Sequence, residues 1–236
     1  MSLGIYIQVP FCQTKCTYCN FHTGPAARSL YSPYARAVER EIRERAAQAT
    51  AFGPVDTIYL GGGTPSLLEP ADLASIIGAV RGSFVGVGGE VTLEADPETI
   101  SAEKAAAWSA AGVNRISLGA QSFHDNELVA AGRMHRRADI FRAVELLHAA
   151  GLANVGLDLI AGLPHQTSAS WGDSLGELLR IRPEHISIYL LEIDEGSRLG
   201  RESLEGGSRY GAAAIPDDDS MATFYEQACA ELGGRL

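Results

Sequence analysis

Cys12, Cys16 and Cys19 stand in the run Cys-Gln-Thr-Lys-Cys-Thr-Tyr-Cys, with three residues between the first pair and two between the second. A loop with that spacing can turn three thiolates toward one point. Thiolates are soft ligands that suit zinc or iron–sulfur clusters, and residue type alone leaves both open. A structural zinc site is usually closed by four protein ligands. A cubane cluster on three thiolates leaves one iron open for something else. Cys229, the other cysteine, lies in an amphipathic helical pattern and is not read as a ligand.

Further polar residues cluster at the ends of short apolar runs. Gly61-Gly62-Gly63-Thr64-Pro65 follows one run, and glycines there let backbone approach a ligand closely. Glu94 ends another in Leu-Glu-Ala-Asp-Pro, where a carboxylate can bind an ammonium or a ribose hydroxyl. Asp96, just before Pro97, is read as a turn or cap residue. Gln121 can donate and accept hydrogen bonds. Arg133, in Gly-Arg-Met-His135, offers a fork that fits a carboxylate, or else a solvated surface charge. Asp158 sits inside the apolar run Leu-Asp-Leu-Ile, expensive unless paired and suited to gripping two hydroxyls. Tyr189 can stack on a flat ring or serve the core. His135, His148, His165 and His185 could ligate iron but are read as capping or packing residues, since nothing pairs them in sequence.

The elements that must position these residues alternate. Strands are expected at 5–9, 57–60, 90–95, 115–118, 155–160 and 185–191. Helices are expected at 31–51, 70–81, from Ser101 to Gly112, and at 139–150, 170–181 and 220–232. The Gly-, Ser- and Asp-rich stretch 196–219 is expected to be a long mobile loop. Six strand–helix alternations imply parallel strands joined by right-handed crossovers. They are too few for a closed eight-stranded barrel, and pattern alone also admits an open doubly wound sheet. The polar motifs fall at the C-terminal strand ends, which favours a barrel-like curve.

Composition narrows the partners. The 236 residues fit one large domain, and the net charge of −10 argues against a nucleic-acid surface. No apolar run reaches the length of a membrane span. The first residues lack the basic start and cleavage site of a signal peptide, so a reducing cytoplasm is the expected compartment.

The succession Tyr6-Ile-Gln-Val-Pro-Phe-Cys12, Gly-Gly-Gly-Thr-Pro65, Glu-Ala-Asp-Pro97, Gly-Ala-Gln-Ser-Phe123, Gly-Arg-Met-His135 and Asp158-Leu-Ile-Ala-Gly-Leu-Pro164 runs nearly the length of the chain. It closely resembles the branch of the radical S-adenosylmethionine (SAM) family that holds oxygen-independent coproporphyrinogen III dehydrogenases and heme chaperones. The resemblance implies an α/β fold, a partial (β/α)6 TIM-like barrel. It implies a [4Fe-4S] cluster on Cys12, Cys16 and Cys19, with SAM on the open iron. It also implies SAM contacts from Tyr6, Gly63, Thr64, Glu94, Gln121, Arg133 and Asp158, with Tyr18 shielding the cluster; the flat ring that Tyr189 could stack on is then adenine, with a core role for Tyr189 left open. No catalytic residue is assigned beyond this cofactor site.

The branch divides two residues after the last cluster cysteine, where dehydrogenases typically carry a fourth cysteine and this chain has Phe21. That resembles the chaperones, which bind heme and pass it to an accepting protein. The alternative is an enzyme acting on a porphyrinogen through a 5′-deoxyadenosyl radical, fed by an electron donor. Gln8 stands where the family usually has His. The first strand starts almost at Met1, without the dehydrogenases' extension. The expected domain is therefore a radical SAM core over 1–236, with barrel elements to about 195, a loop and final helix beyond, and the family's C-terminal region missing. A truncated protein that binds a cluster without completing either task is the third expectation.

Overall fold

The structure is a computed structural model that describes residues 2–48 and 53–233. Six strands alternate with helices: β1 Leu3–Val9, β2 Val55–Gly62, β3 Glu90–Ala95, β4 Arg115–Gln121, β5 Val155–Ala161 and β6 His185–Leu190. They form one all-parallel sheet in sequence order. That order decides the architecture. A doubly wound sheet reverses strand order at a switch point. Consecutive right-handed crossovers instead put the helices on one side and curl the sheet around the other. The sheet ends at β1 and β6, so the barrel is open.

Period-two alternation assigns the two faces. In β1, Ile7 and Val9 are buried while Tyr6 and Gln8 are exposed on the concave side. Ile58, Leu60, Leu93, Ile116, Leu118, Leu157 and Leu159 likewise point outward, under the helices. There they join Ile76 and Ile77 of α2 (Pro70–Ser83), Trp108 of α3 (Ala102–Ala111), and one face each of α5 (Arg137–Ala149) and α6 (Ser168–Ile181). Each such side chain stabilises the fold by about 1.5–3 kcal/mol relative to exposure.

Helix boundaries follow their caps. Ser101 accepts from the Lys104 amide, and Gly112 closes α3 with φ 89°. Two starts lie upstream of expectation because a polar residue taken as the start is the third helical residue, reaching back to the cap. Asp139 accepts from the Arg136 amide, and Ser170 exchanges bonds with Thr167. The first helix, α1, is described over Tyr31–Gln48, and the rest of the expected helix to Ala51 lies outside the described residues.

Two helices differ from the sequence reading. A short helix, α4 (Asp125–Ala130), follows β4 unannounced. The stretch 196–219 is not a structureless loop. It contains α7 (Arg198–Leu204), capped by Ser197, then a 3-10 segment Arg209–Ala214 leading to α8 (Asp218–Leu232). Leu199 and Ala212 are buried in a second small core with Ala131, Ile160, Leu163 and Leu191. Those apolar residues are too sparse to show a period, so only their distant partners reveal them.

Candidate functional site

The concave face opens at the C-terminal strand ends into a cavity of ≈ 480 Å³. Tyr6, Cys12, Cys16, Tyr18, Cys19, Gly63, Thr64, Glu94, Gln121, Arg133, Asp158 and Tyr189 all line it. The three cysteines are half-buried free thiols. Burial pushes the Cys12 thiol up, partly offset by the Thr23 and Thr64 hydroxyls. Among the described residues, no three Cys, His, Asp or Glu side chains converge closely enough for one metal ion.

The cysteine loop is held from two sides. On the sheet side, the Gly63 amide donates to the Val9 carbonyl at 2.7 Å and the Thr64 amide to the Phe11 carbonyl at 2.6 Å. A Cβ on Gly63 would stand 2.4 Å from the Phe11 oxygen, so only glycine lets the two segments meet. On the other side Thr17, buried between Cys16 and Cys19, uses every polar group. Its amide donates to the Ala131 carbonyl (3.0 Å) and its hydroxyl to the Ala130 carbonyl (2.9 Å). Its carbonyl accepts from the Leu199 amide at 2.7 Å, while the Arg198 guanidinium donates to the Lys15 carbonyl. A Cβ on Gly132, at φ 75°, would stand 3.1 Å from Thr17 Cγ2, so glycine leaves room for the loop there.

The glycine run differs from a simple ligand cradle. Its Gly62 amide donates to Glu94 at 2.9 Å, so the Gly62, Gly63 and Thr64 amides all have protein partners. The Thr64 hydroxyl donates to Asp96 at 3.0 Å. What this edge retains for a ligand is acceptor oxygen, the polarity an ammonium needs. Asp96 begins a 3-10 turn as the sequence suggested, but its carboxylate also takes the Arg133 guanidinium. Sequence reading missed that link, because nothing in Asp-Pro distinguishes a turn residue from an ion-pair partner.

Arg133 is no surface charge: its side chain is 8% exposed. It also donates to the Gly119 carbonyl (3.0 Å) and to Cys16 Sγ (3.4 Å), joining the cysteine loop to the barrel wall. Glu94 accepts from the Tyr59 hydroxyl at 2.9 Å as well as from Gly62. Burial raises the Glu94 carboxyl above its ordinary range, with Asp158 and Asp96 adding repulsion against those two bonds. Burial also raises Asp158, opposed by the nearby Ser187 hydroxyl and by a hydrogen bond from Ser117 at 3.0 Å. Its Oδ1 is buried without a partner. Tyr6 stacks on Tyr59 at 5.6 Å, and Tyr189 stands 55% exposed at the mouth. Tyr18 packs onto the second core. Gln8 lies against Gly62.

Gln121 sits at φ 66°, a left-handed conformation rare outside glycine. His135 is fully buried, 3.3 Å from Glu98 and 3.0 Å from the Ala120 carbonyl, a packing position as expected. Burial would raise Glu98, but the adjacent His135 and the Arg133 charge hold it below its ordinary value. His148 and His165 are exposed and, like His185, do not line the cavity.

The sequence model of the Radical SAM superfamily matches residues 6–178. Over 230 residues the chain is 37% identical to a heme chaperone HemW from Synechocystis, covering 95% of this chain and 54% of that protein. It is 34% identical over 232 residues to an oxygen-independent coproporphyrinogen III oxidase from Bradyrhizobium diazoefficiens, covering 97% and 49%. The structure of coproporphyrinogen III oxidase (HemN) from Escherichia coli superposes with a TM-score of 0.85 at 24% identity, over 99% of this chain and 53% of that one. The chain thus spans about half the length of these relatives. No described helix is long and apolar enough to cross a membrane.

Proposed function

The chain belongs to the Radical SAM superfamily, and on that premise we propose that it forms the core of a heme chaperone of the HemW type, with a [4Fe-4S] cluster on Cys12, Cys16 and Cys19 and SAM in the cavity behind them. One observation carries the reading. Every residue singled out as a cluster or SAM contact, from Tyr6 to Tyr189, lines the same cavity.

The residues present fit both groups. Three thiols line the cavity, and among the described lining residues no histidine or fourth cysteine joins them, a donor set that suits a three-thiolate cluster better than a closed zinc site. The unpartnered Asp158 Oδ1 suits a ribose hydroxyl, since a buried acceptor without a donor costs free energy until one arrives. Glu94 and the glycine edge supply acceptors for an ammonium, and Arg133 Nε, buried without a partner while the other guanidinium nitrogens hold Cys16, Gly119 and Asp96, supplies a donor for a carboxylate. Tyr18, packed on the second core and lining the cavity, would shield the cluster, and Tyr189 offers a ring face at the mouth for adenine. When bound, the two groups supply one-electron chemistry, while the barrel supplies orientation and a partly dry site.

Phe21 favours the chaperone. It is 63% exposed at the cavity rim, where the dehydrogenases typically carry a fourth cysteine. An apolar ring there suits contact with heme better than ligation. The second reading is a coproporphyrinogen oxidase that draws on an electron donor, and it is favoured by the 34% identical relative of that name. Either role fits the cytoplasm, and the chaperone also requires a heme-accepting protein.

The test is anaerobic. The cluster is rebuilt with iron and sulfide, and the protein is assayed separately for heme binding with transfer to apo-acceptors and for coproporphyrinogen decarboxylation with release of 5′-deoxyadenosine. Stable heme binding without decarboxylation is expected. Substrate-dependent decarboxylation abolished by Cys16→Ala replaces the chaperone reading with the enzyme. A loaded cluster with neither activity leaves only a SAM-binding core.

A further inference from the structure

Between α4 and α5 the turn Gly132-Arg-Met-His135 sends two side chains in opposite directions. Arg133 points into the cavity, and His135 lies beneath the end of β4. The β4–β5 ladder breaks there: Leu118 pairs with Leu157 and Gln121 with Leu159, leaving Gly119 and Ala120 out of register. Ala120 is fully buried, so its carbonyl needs donors from elsewhere. It receives two, the Ser122 amide at 2.8 Å and His135 Nε2 at 3.0 Å. A carbonyl can only accept, so Nε2 carries the hydrogen. Glu98 Oε2 stands 3.3 Å from the other ring nitrogen without a hydrogen bond to it, placed to pair with the ring when Nδ1 also carries a proton.

The peptide held in this way is the one that leads into Gln121, whose φ of 66° persists only where its surroundings impose it. A Cβ on Gly119 would meet the Gln121 amide nitrogen at 2.9 Å and the Arg133 guanidinium at 3.2 Å, so the two side chains lie close together over Gly119.

We propose that His135, with Glu98 beside its other ring nitrogen, is a positioning residue that anchors the Ala120 carbonyl and thereby fixes the left-handed backbone presenting Gln121 to the SAM site. The inference rests on Gln121 being a SAM contact, as proposed above.

The test uses the full chain with its cluster rebuilt, and compares His135→Leu, His135→Gln, Glu98→Gln, Gln121→Ala and the His135→Leu/Gln121→Ala double variant. SAM affinity is read by equilibrium dialysis, iron content by assay, and backbone amide exchange on the cluster-free protein. His135→Leu is expected to keep its iron and weaken SAM binding about tenfold, as loss of an outer-shell orienting partner does. His135→Gln, which restores a donor, should recover most of that loss, with Glu98→Gln between the two. Exchange at the Ser122 amide should quicken in His135→Leu without cluster or SAM. In the Gln121→Ala background, His135→Leu should add little, because the effect runs through Gln121. Full additivity, or wild-type affinity in His135→Leu, overturns the positioning role while leaving Gln121 as a contact. Wild-type affinity in Gln121→Ala overturns the contact and the inference with it. Should the Leu variant fail to fold, wild-type affinity in both His135→Gln and Glu98→Gln, with Gln121→Ala weakened, overturns the role of the pair.

Discussion

The barrel wall and the clamp on the cysteine loop reach the same cavity by different physics. On the wall, Glu94, Ser117 and Asp158 arrive through strand alternation and ladder register: Glu94 pairs with Ser117, and the Ser117 hydroxyl bonds Asp158 one strand further on. Their apolar neighbours on the same strands are anchored under the helices. The clamp has no such repeat. Thr17 is fixed by Ala130, Ala131 and Leu199, partners more than a hundred residues away, through single hydrogen bonds and a small separate core. A wall of this kind tolerates local change, because each side chain inherits its place from a whole ladder. A clamp built from a few long-range bonds concentrates its dependence on individual residues.

The largest expected effect falls on the loop itself. Cys16→Ala removes the thiol that meets Arg133 and should abolish [4Fe-4S] assembly, read as loss of bound iron and of the cluster's visible absorbance after anaerobic reconstitution. Full iron loading in this variant would break the assignment.

Next comes the clamp. Leu199 is fully buried in the second core, and Leu199→Ala should cost about 2–5 kcal/mol there, the usual range for a buried leucine. If clamp and wall are separate, amide exchange should accelerate at Thr17 and Leu199 while β3 to β5 keep their protection. Uniform acceleration would show one cooperative unit and dissolve the comparison.

Asp158→Asn probes the wall and should act in two directions. Losing the carboxylate should weaken SAM binding about tenfold, the scale of a charge-assisted hydrogen bond. Stability should move the other way. The folded-state pKa of Asp158 is raised, so the native state holds its proton more tightly than the unfolded chain does. Stability from this group is therefore complete below the unfolded pKa and lost as pH rises through the raised value. At neutral pH the Asn variant should melt higher than the parent, and the gap should close in acid. A variant that melts lower at neutral pH would show that Asp158 is better compensated than its surroundings suggest.

Ser117→Ala should be the mildest. It removes one of the hydrogen bonds that stabilise the Asp158 anion, at a cost of about 0.5–1.5 kcal/mol, and should raise the Asp158 pKa further. The check is the pH at which SAM binding begins to fail, which should move upward. An unchanged midpoint would mean that Ser187 alone supports the anion.

What could be read from residues and what could not divides along the same line. Glu94 and Asp158 stand in apolar runs that read as strands, so their placement on the barrel wall was legible. The cysteine loop was legible from its spacing. The role of Asp96 was not, since a residue before proline reads as a turn whether or not an arginine thirty-seven positions away takes its carboxylate. Nor were α4 and α7, which are too short for a helical period to emerge, or His135, whose partners Glu98 and Ala120 lie on other elements.

By itself the sequence determined the alternation of six strands with helices, the family, and the set of residues that face one cavity. The alternation and the cysteine spacing are local properties, written within a few neighbours; the family and the cavity residues follow from the order of the motifs along the chain and the resemblance they carry. Only the tertiary structure decided that Arg133 joins Cys16 to Asp96, and that the stretch after β6 folds back to hold the cysteine loop. Those outcomes depend on which distant backbone groups find each other once the core is packed. No window of neighbouring residues carries that information.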